Sequence, residues 1–101
     1  MACTWNVIRP EAIIGHATKP NGMNEALALA IYFLTCREIG VEAKMPTNWN
    51  YWNRADDVSD ARLIADLSVF ASTQPQCANQ AFNVTNGDYF SWRYLWPRLA
   101  E

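Results

Sequence analysis

Glycine is scarce in this 101-residue chain, four in all, and none belongs to a Gly-x-Gly-x-x-Gly run or a Gly-x-x-x-x-Gly-Lys loop. Backbone that wraps a phosphate needs closely spaced glycines, so neither a dinucleotide-type turn nor a P-loop is encoded here. Histidine is rarer still: His16 stands alone, and Cys3, Cys36 and Cys77 form no Cys-x-x-Cys pair. A zinc site and a disulfide framework both require more, and an odd number of thiols points to a reducing compartment. Basic residues are few, eight against ten acidic ones, with no basic block and a net charge of −2. That excludes nucleic acid as a primary partner. The longest apolar run, residues 26–34, falls well short of the roughly 18 residues of a membrane span. Residues 1–4 lack a basic stretch followed by an apolar core, so no secretory leader is expected and the location expected is cytoplasmic.

Apolar residues are abundant. Half the residues are hydrophobic and 18% are charged, the balance of a globular piece rather than a disordered one, and the length fits one domain at most. Five tryptophans demand a large apolar environment. A domain this small buries only about 60–65% of its unfolded surface, so either a partner surface or exposed aromatic area is expected.

Residues 4–8 read as a strand that stops at Arg9-Pro10, because proline cannot donate to a ladder. Residues 16–22 read as a loop. Asn24 caps a helix that Gly40 closes, with Glu25 in the first turn; Leu27, Ile31 and Leu34 share one face, and Ala28, Tyr32 and Phe33 make the other side apolar too. Trp49, Asn50, Tyr51 and Trp52 alternate like a short strand or an aromatic loop. Asp56, Asp57 and Asp60 open a second helix at its positive end, with a stripe of Leu63, Leu67 and Phe70 beside Ile64 and Ala71. Residues 81–85 are a second strand. Asn86-Gly87 suits either a hairpin to Tyr89-Phe90 or a turn into a helix capped by Ser91; the stripe Trp92, Leu95, Trp96 and Leu99 favours the helix, kinked at Pro97. Strand, helix, aromatic segment, helix, strand and helix in that order predict an α/β fold with parallel strands and three main helices.

Candidate chemistry is thin. His16 reads as a polar loop residue, Cys36 as a small core residue, and a Cys77–His16 nucleophile pair has nothing to orient it. The three aspartates lack the spaced ligands of a calcium loop, so no metal site is expected. Asn83-Val84-Thr85 is a glycosylation sequon in form, without meaning inside a buried strand.

Five segments, in order, resemble one family along nearly the whole chain. Residues 5–15 carry Arg9-Pro10, Ile13 and Gly15; residues 23–38 resemble its helix over the substrate pocket; residues 49–71 resemble its aromatic loop and following helix, with Ser-Asp-Ala-Arg-Leu-Ile-Ala at 59–65. Residues 79–88 and 92–100 carry Asn-x-Ala-Phe-Asn-x-x-Asn-Gly-Asp and Trp-x-x-Leu-Trp-x-x-Leu-Ala. These are similar to the C-terminal part of extended short-chain dehydrogenase/reductases of the progesterone 5β-reductase and iridoid synthase type. The resemblance implies a single partial domain over 1–101, part of a Rossmann fold without its dinucleotide-binding first half. It further implies NADPH-dependent reduction of enone-type intermediates of specialised metabolism, with Pro10, Ala12 and Ile13 near the nicotinamide and Met23, Tyr51 and Trp52 on the substrate side. The family's catalytic tyrosine, with lysine four positions on, has no counterpart: Tyr89…Arg93 and Tyr94…Arg98 keep the spacing, but arginine does not replace a titratable amine. No catalytic residue is therefore assigned, and the chain is expected to need a separately supplied first half or self-association. A non-catalytic association module and a hydrophobic-ligand binder are the alternatives.

Overall fold

The computed structural model describes residues 3–101. Strand β1 (Asn6–Pro10) lies parallel to β4 (Gln80–Val84), with Asn6 opposite Gln80 and Pro10 opposite Val84. A second parallel pair joins β2 (Ala12–Ile14) to β3 (Val58–Asp60). Helices α1 (Glu25–Ile39), α2 (Trp49–Asn53), α3 (Ala61–Thr73) and α4 (Trp92–Ala100) complete the set, with a short 3-10 turn at Pro75–Cys77. The α/β reading and the parallel pairing of first and last strands hold, and a short fourth helix joins the three long ones.

Two differences come from local hydrogen bonding. The first strand continues through Pro10, because β4 covers only one of its edges and the missing N–H of proline costs nothing on the other. The aromatic run 49–52 is a turn of helix: Asn48 accepts the backbone N–H of Tyr51 at 2.8 Å, and a capped turn outweighs alternation over so few residues. Likewise Asp60 alone caps α3, accepting from the N–H of Arg62 at 2.7 Å, whereas Asp56 and Asp57 precede β3 and lie outside the helix. Ser91 sits at the cap position of α4 without a capping bond, its buried hydroxyl unpartnered among the described residues. The hairpin alternative fails, since Phe90 bridges Asp56 instead of Val84.

The two strand pairs are stitched by one residue. Ser59, fully buried on β3, donates to the carbonyl of Val84 at 2.6 Å and accepts from the N–H of Glu11 at 2.9 Å. Asn86 continues the seam, its N–H bonding Val58 at 3.0 Å and its side chain receiving the N–H of Asp60 at 2.8 Å. Gly15 ends β2 against the start of α3, where an added Cβ would lie 2.8 Å from that of Ala61.

Two small cores result. Helix α3 covers β1 and β4, burying Ala71 with Val84 and Cys77 while Leu63 and Phe70 stay exposed. The buried line of that helix is thus rotated away from the Leu63–Phe70 stripe. The second core is aromatic: Trp92 and Trp96 of α4 are buried, with Phe33 at 4.7 Å from Trp96 and Phe90 edge-on to Trp92 at 5.0 Å between ring centres. Helix α1 meets this core along part of its surface and leaves Ile31 and Leu34 open, so its all-round apolar character is only partly used.

The unit is an open slab, 61 × 32 × 17 Å, with a radius of gyration of 17.3 Å where about 13 Å suits a compact chain of this length. Its accessible surface, 7921 Å², exceeds the about 5,800 Å² of a compact protein of 11.5 kDa. Parallel sheets normally have both faces covered, yet Trp5 and Val7 lie exposed here.

Candidate functional site

Beside the aromatic core lie two adjoining hollows. One, of about 490 Å³, is walled by apolar side chains of α1 and α4 with Ile14, Val58 and Phe90. The other, of about 510 Å³, runs between α1, the 45–47 segment and Tyr51. Glu25, Leu29 and Trp92 line both, so together they form one trough along α1. Size and apolar walls suit a drug-sized organic ligand.

The wall between the hollows is pinned by Asp56. One of its oxygens accepts the indole N–H of Trp92 at 2.7 Å and the phenol of Tyr51 at 3.0 Å, and the other receives the N–H of Asp57. Backbone bonds between Asp56 and Phe90 close the arrangement. Burial first, and then the hydrogen bond and charge of Asp56, raise the Tyr51 phenol above its ordinary 10.0, while the Trp92 indole and then the Arg54 guanidinium on the ring face act the other way. Burial, with the Asp56 charge behind it, likewise raises the Glu25 carboxyl above 4.5. Trp96 is fixed separately, its indole N–H donating to the carbonyl of Ala43 at 2.8 Å.

Tyr51 lines the second hollow of the trough. Trp52 lines a neighbouring depression with Trp49, which shares Met45, Thr47 and Trp96 with the second hollow. Met23, 84% exposed, precedes the cap of α1 and lines none of these hollows. Pro10, Ala12 and Ile13 follow one another across the β1–β2 junction, at the carboxyl ends of the paired strands β1 and β4. Alternation turns Ile13, 42% exposed, to the face opposite Ile14, which lines the first hollow. His16 and Cys77 are not brought together: the Cys77 carbonyl accepts from the Asn6 side chain at the start of β1, and His16 follows the end of β2. Both oxygens of Asp56 and one oxygen each of Asp57 and Asp60 accept internal hydrogen bonds.

Trp92 belongs to the 92–100 motif and to the α4 stripe, but no motif points to Glu25 and Asp56 as its companions in the site. Their signals were partial: one acid beginning an apolar helix, four residues before Leu29, and an aspartate preceding rather than inside the next helix.

Open α/β sheets take ligands at the carboxyl ends of their strands, and Ile13 there offers an exposed apolar face on which a ring can stack. The described residues contain no glycine-rich turn of the kind that binds dinucleotide phosphates.

No protein-family model matches the chain. Over 97 residues it is 66% identical to the short chain dehydrogenase gsfE of Penicillium aethiopicum, a match covering 96% of this chain and 26% of that protein. It is 39% identical over 98 residues to an (S)-8-oxocitronellyl enol synthase of Nepeta racemosa, with 97% and 24% covered. An uncharacterised protein of Schizosaccharomyces pombe is 36% identical over 97 residues, with 96% and 24% covered. The fold is a parallel-stranded α/β unit, and over nearly its whole length the chain is similar to a part of a short chain dehydrogenase and of oxocitronellyl enol synthases. It spans about a quarter of the length of these curated relatives.

Proposed function

We propose that the chain is the substrate-side, C-terminal part of a Rossmann-type short-chain dehydrogenase/reductase of specialised metabolism, acting with a nucleotide-binding part that these 101 residues do not contain. The observation that carries the reading is the parallel pairing of β1 with β4, a two-stranded sheet with open edges and exposed Trp5 and Val7 away from α3, of the kind a larger sheet would complete. The relatives' names support the oxidoreductase class. On this reading the partner part supplies NADPH phosphate binding and the proton-donating tyrosine, and the cofactor supplies hydride. Pro10, Ala12 and Ile13 flank the nicotinamide; Tyr51, with Met23 and Trp52 at the margins, faces a neutral enone-type substrate in the trough. The setting is cytoplasmic; among the described residues no helix is long and apolar enough to cross a membrane.

The test is complementation: this chain is co-expressed with the nucleotide-binding portion of the Penicillium relative, and enone-dependent NADPH oxidation is followed. Turnover that requires both polypeptides supports the reading. A well-folded complex without turnover on any of a panel of cyclic and acyclic enones counts against it. The large excess surface favours a second reading, an association module, whose mark is a stable self-assembled oligomer that leaves the added half unbound.

A further inference from the structure

The trough contains a conspicuous charge asymmetry. Its two hollows are lined by apolar and aromatic side chains, two tyrosines, Thr47 and Glu25, with no lysine, arginine or histidine. Arg54 lies over the Tyr51 ring, and Arg37 and Lys44 line neighbouring depressions that share walls with the trough, but none of the three lines either hollow. Glu25 stands at the junction of the hollows, and Asp56 lies behind Tyr51 and Trp92, close enough for its charge to act on Glu25. An anionic ligand entering here would lose its hydration, find no cation, and meet a carboxyl of its own sign. Burying a charge without a partner is among the costliest steps in recognition.

We propose that Glu25 is a specificity-determining residue that bars carboxylate-bearing ligands from the trough and restricts it to neutral, ring-sized apolar ones. This rests on the trough being the substrate side of the proposed reductase, and it adds a filter that the resemblance does not supply. Specificity of this kind works by repulsion against the wrong ligand as much as by attraction to the right one. Asp56 contributes the background potential, and Glu25 touches the ligand.

The test compares two ligands of matched shape, 2-acetonaphthone and 2-naphthoate, binding to the full 101-residue chain, by calorimetry at mildly alkaline pH. The neutral ketone is expected to bind at least about tenfold more tightly than the acid. Glu25→Gln, which keeps shape and removes charge, narrows that ratio, and Glu25→Lys inverts it; helix content by circular dichroism confirms that both variants fold. Equal affinity for the two ligands, or a ratio that Glu25→Gln leaves unchanged, overturns the filter while leaving the reductase reading intact. Failure of both ligands to bind overturns the filter together with the trough as a ligand site.

Discussion

The hydroxyl of Ser59 donates to the carbonyl of Val84 at 2.6 Å, and through it the β2–β3 pair is tied to the β1–β4 pair. Neither pair is large enough to stand alone, so this fully buried contact holds much of the relation between the carboxyl end of β1 and the trough. Ser59→Ala leaves the Val84 carbonyl and the Glu11 N–H without their partner and should cost about 1–3 kcal/mol. Chemical denaturation measures the loss, and faster hydrogen exchange at the Glu11 amide localises it.

Asp56 carries a comparable burden, since Tyr51 and Trp92 both donate to one of its oxygens. Asp56→Ala should destabilise by about 2–3 kcal/mol, as expected for hydrogen bonds to a charged group, and shift tryptophan emission to the red as Trp92 is released. Asp56→Asn retains an accepting oxygen and should lose less. Equal losses in the two variants would show that a neutral accepting oxygen does not hold the pair and that the carboxylate charge is required.

Gly15 and Gly40 both have positive φ but differ in space. At Gly15, φ is +149° and an added Cβ meets Ala61; at Gly40, φ is +71° and nothing lies within 4 Å. Gly15→Ala should therefore cost about 2–3 kcal/mol by clash and backbone strain, and Gly40→Ala about 1 kcal/mol by left-handed geometry alone. Thermal midpoints of the two variants give the order directly.

The raised Glu25 carboxyl makes a signed prediction in pH. A carboxyl whose folded pKa lies above its unfolded value contributes stability below the unfolded value near 4.5, lost as pH rises through the folded one. Glu25→Gln should accordingly unfold at a higher temperature than the parent at neutral pH, with the gap closing below about 4.5. A gap that widens on acidification would contradict the burial and charge repulsion assigned to Glu25.

Strand order, helix caps at Asn24 and Gly40, and the α4 stripe of Trp92 and Trp96 were legible because they depend on neighbours in sequence. The β2–β3 pair was not, since three-residue strands leave too little alternation to detect, and Ser59 within them looks like an ordinary helix-start serine. Burial on α1 and α3 was misjudged for a related reason. Composition shows which faces are apolar, but only tertiary packing selects which of them is covered, as Ile31, Leu34 and Phe70 show by staying exposed. The trough combines both problems: Tyr51 was accessible to the resemblance, whereas Glu25, Asp56 and Trp92 converge from three segments that nothing in sequence spacing links.

NADPH titration of the 101-residue chain, alone and then mixed with the nucleotide-binding portion of the Penicillium relative, tests the central claim most directly. Enhanced cofactor fluorescence only in the mixture is the predicted result. Saturable binding by the chain alone, or none in a mixture that forms a stable complex, would contradict it.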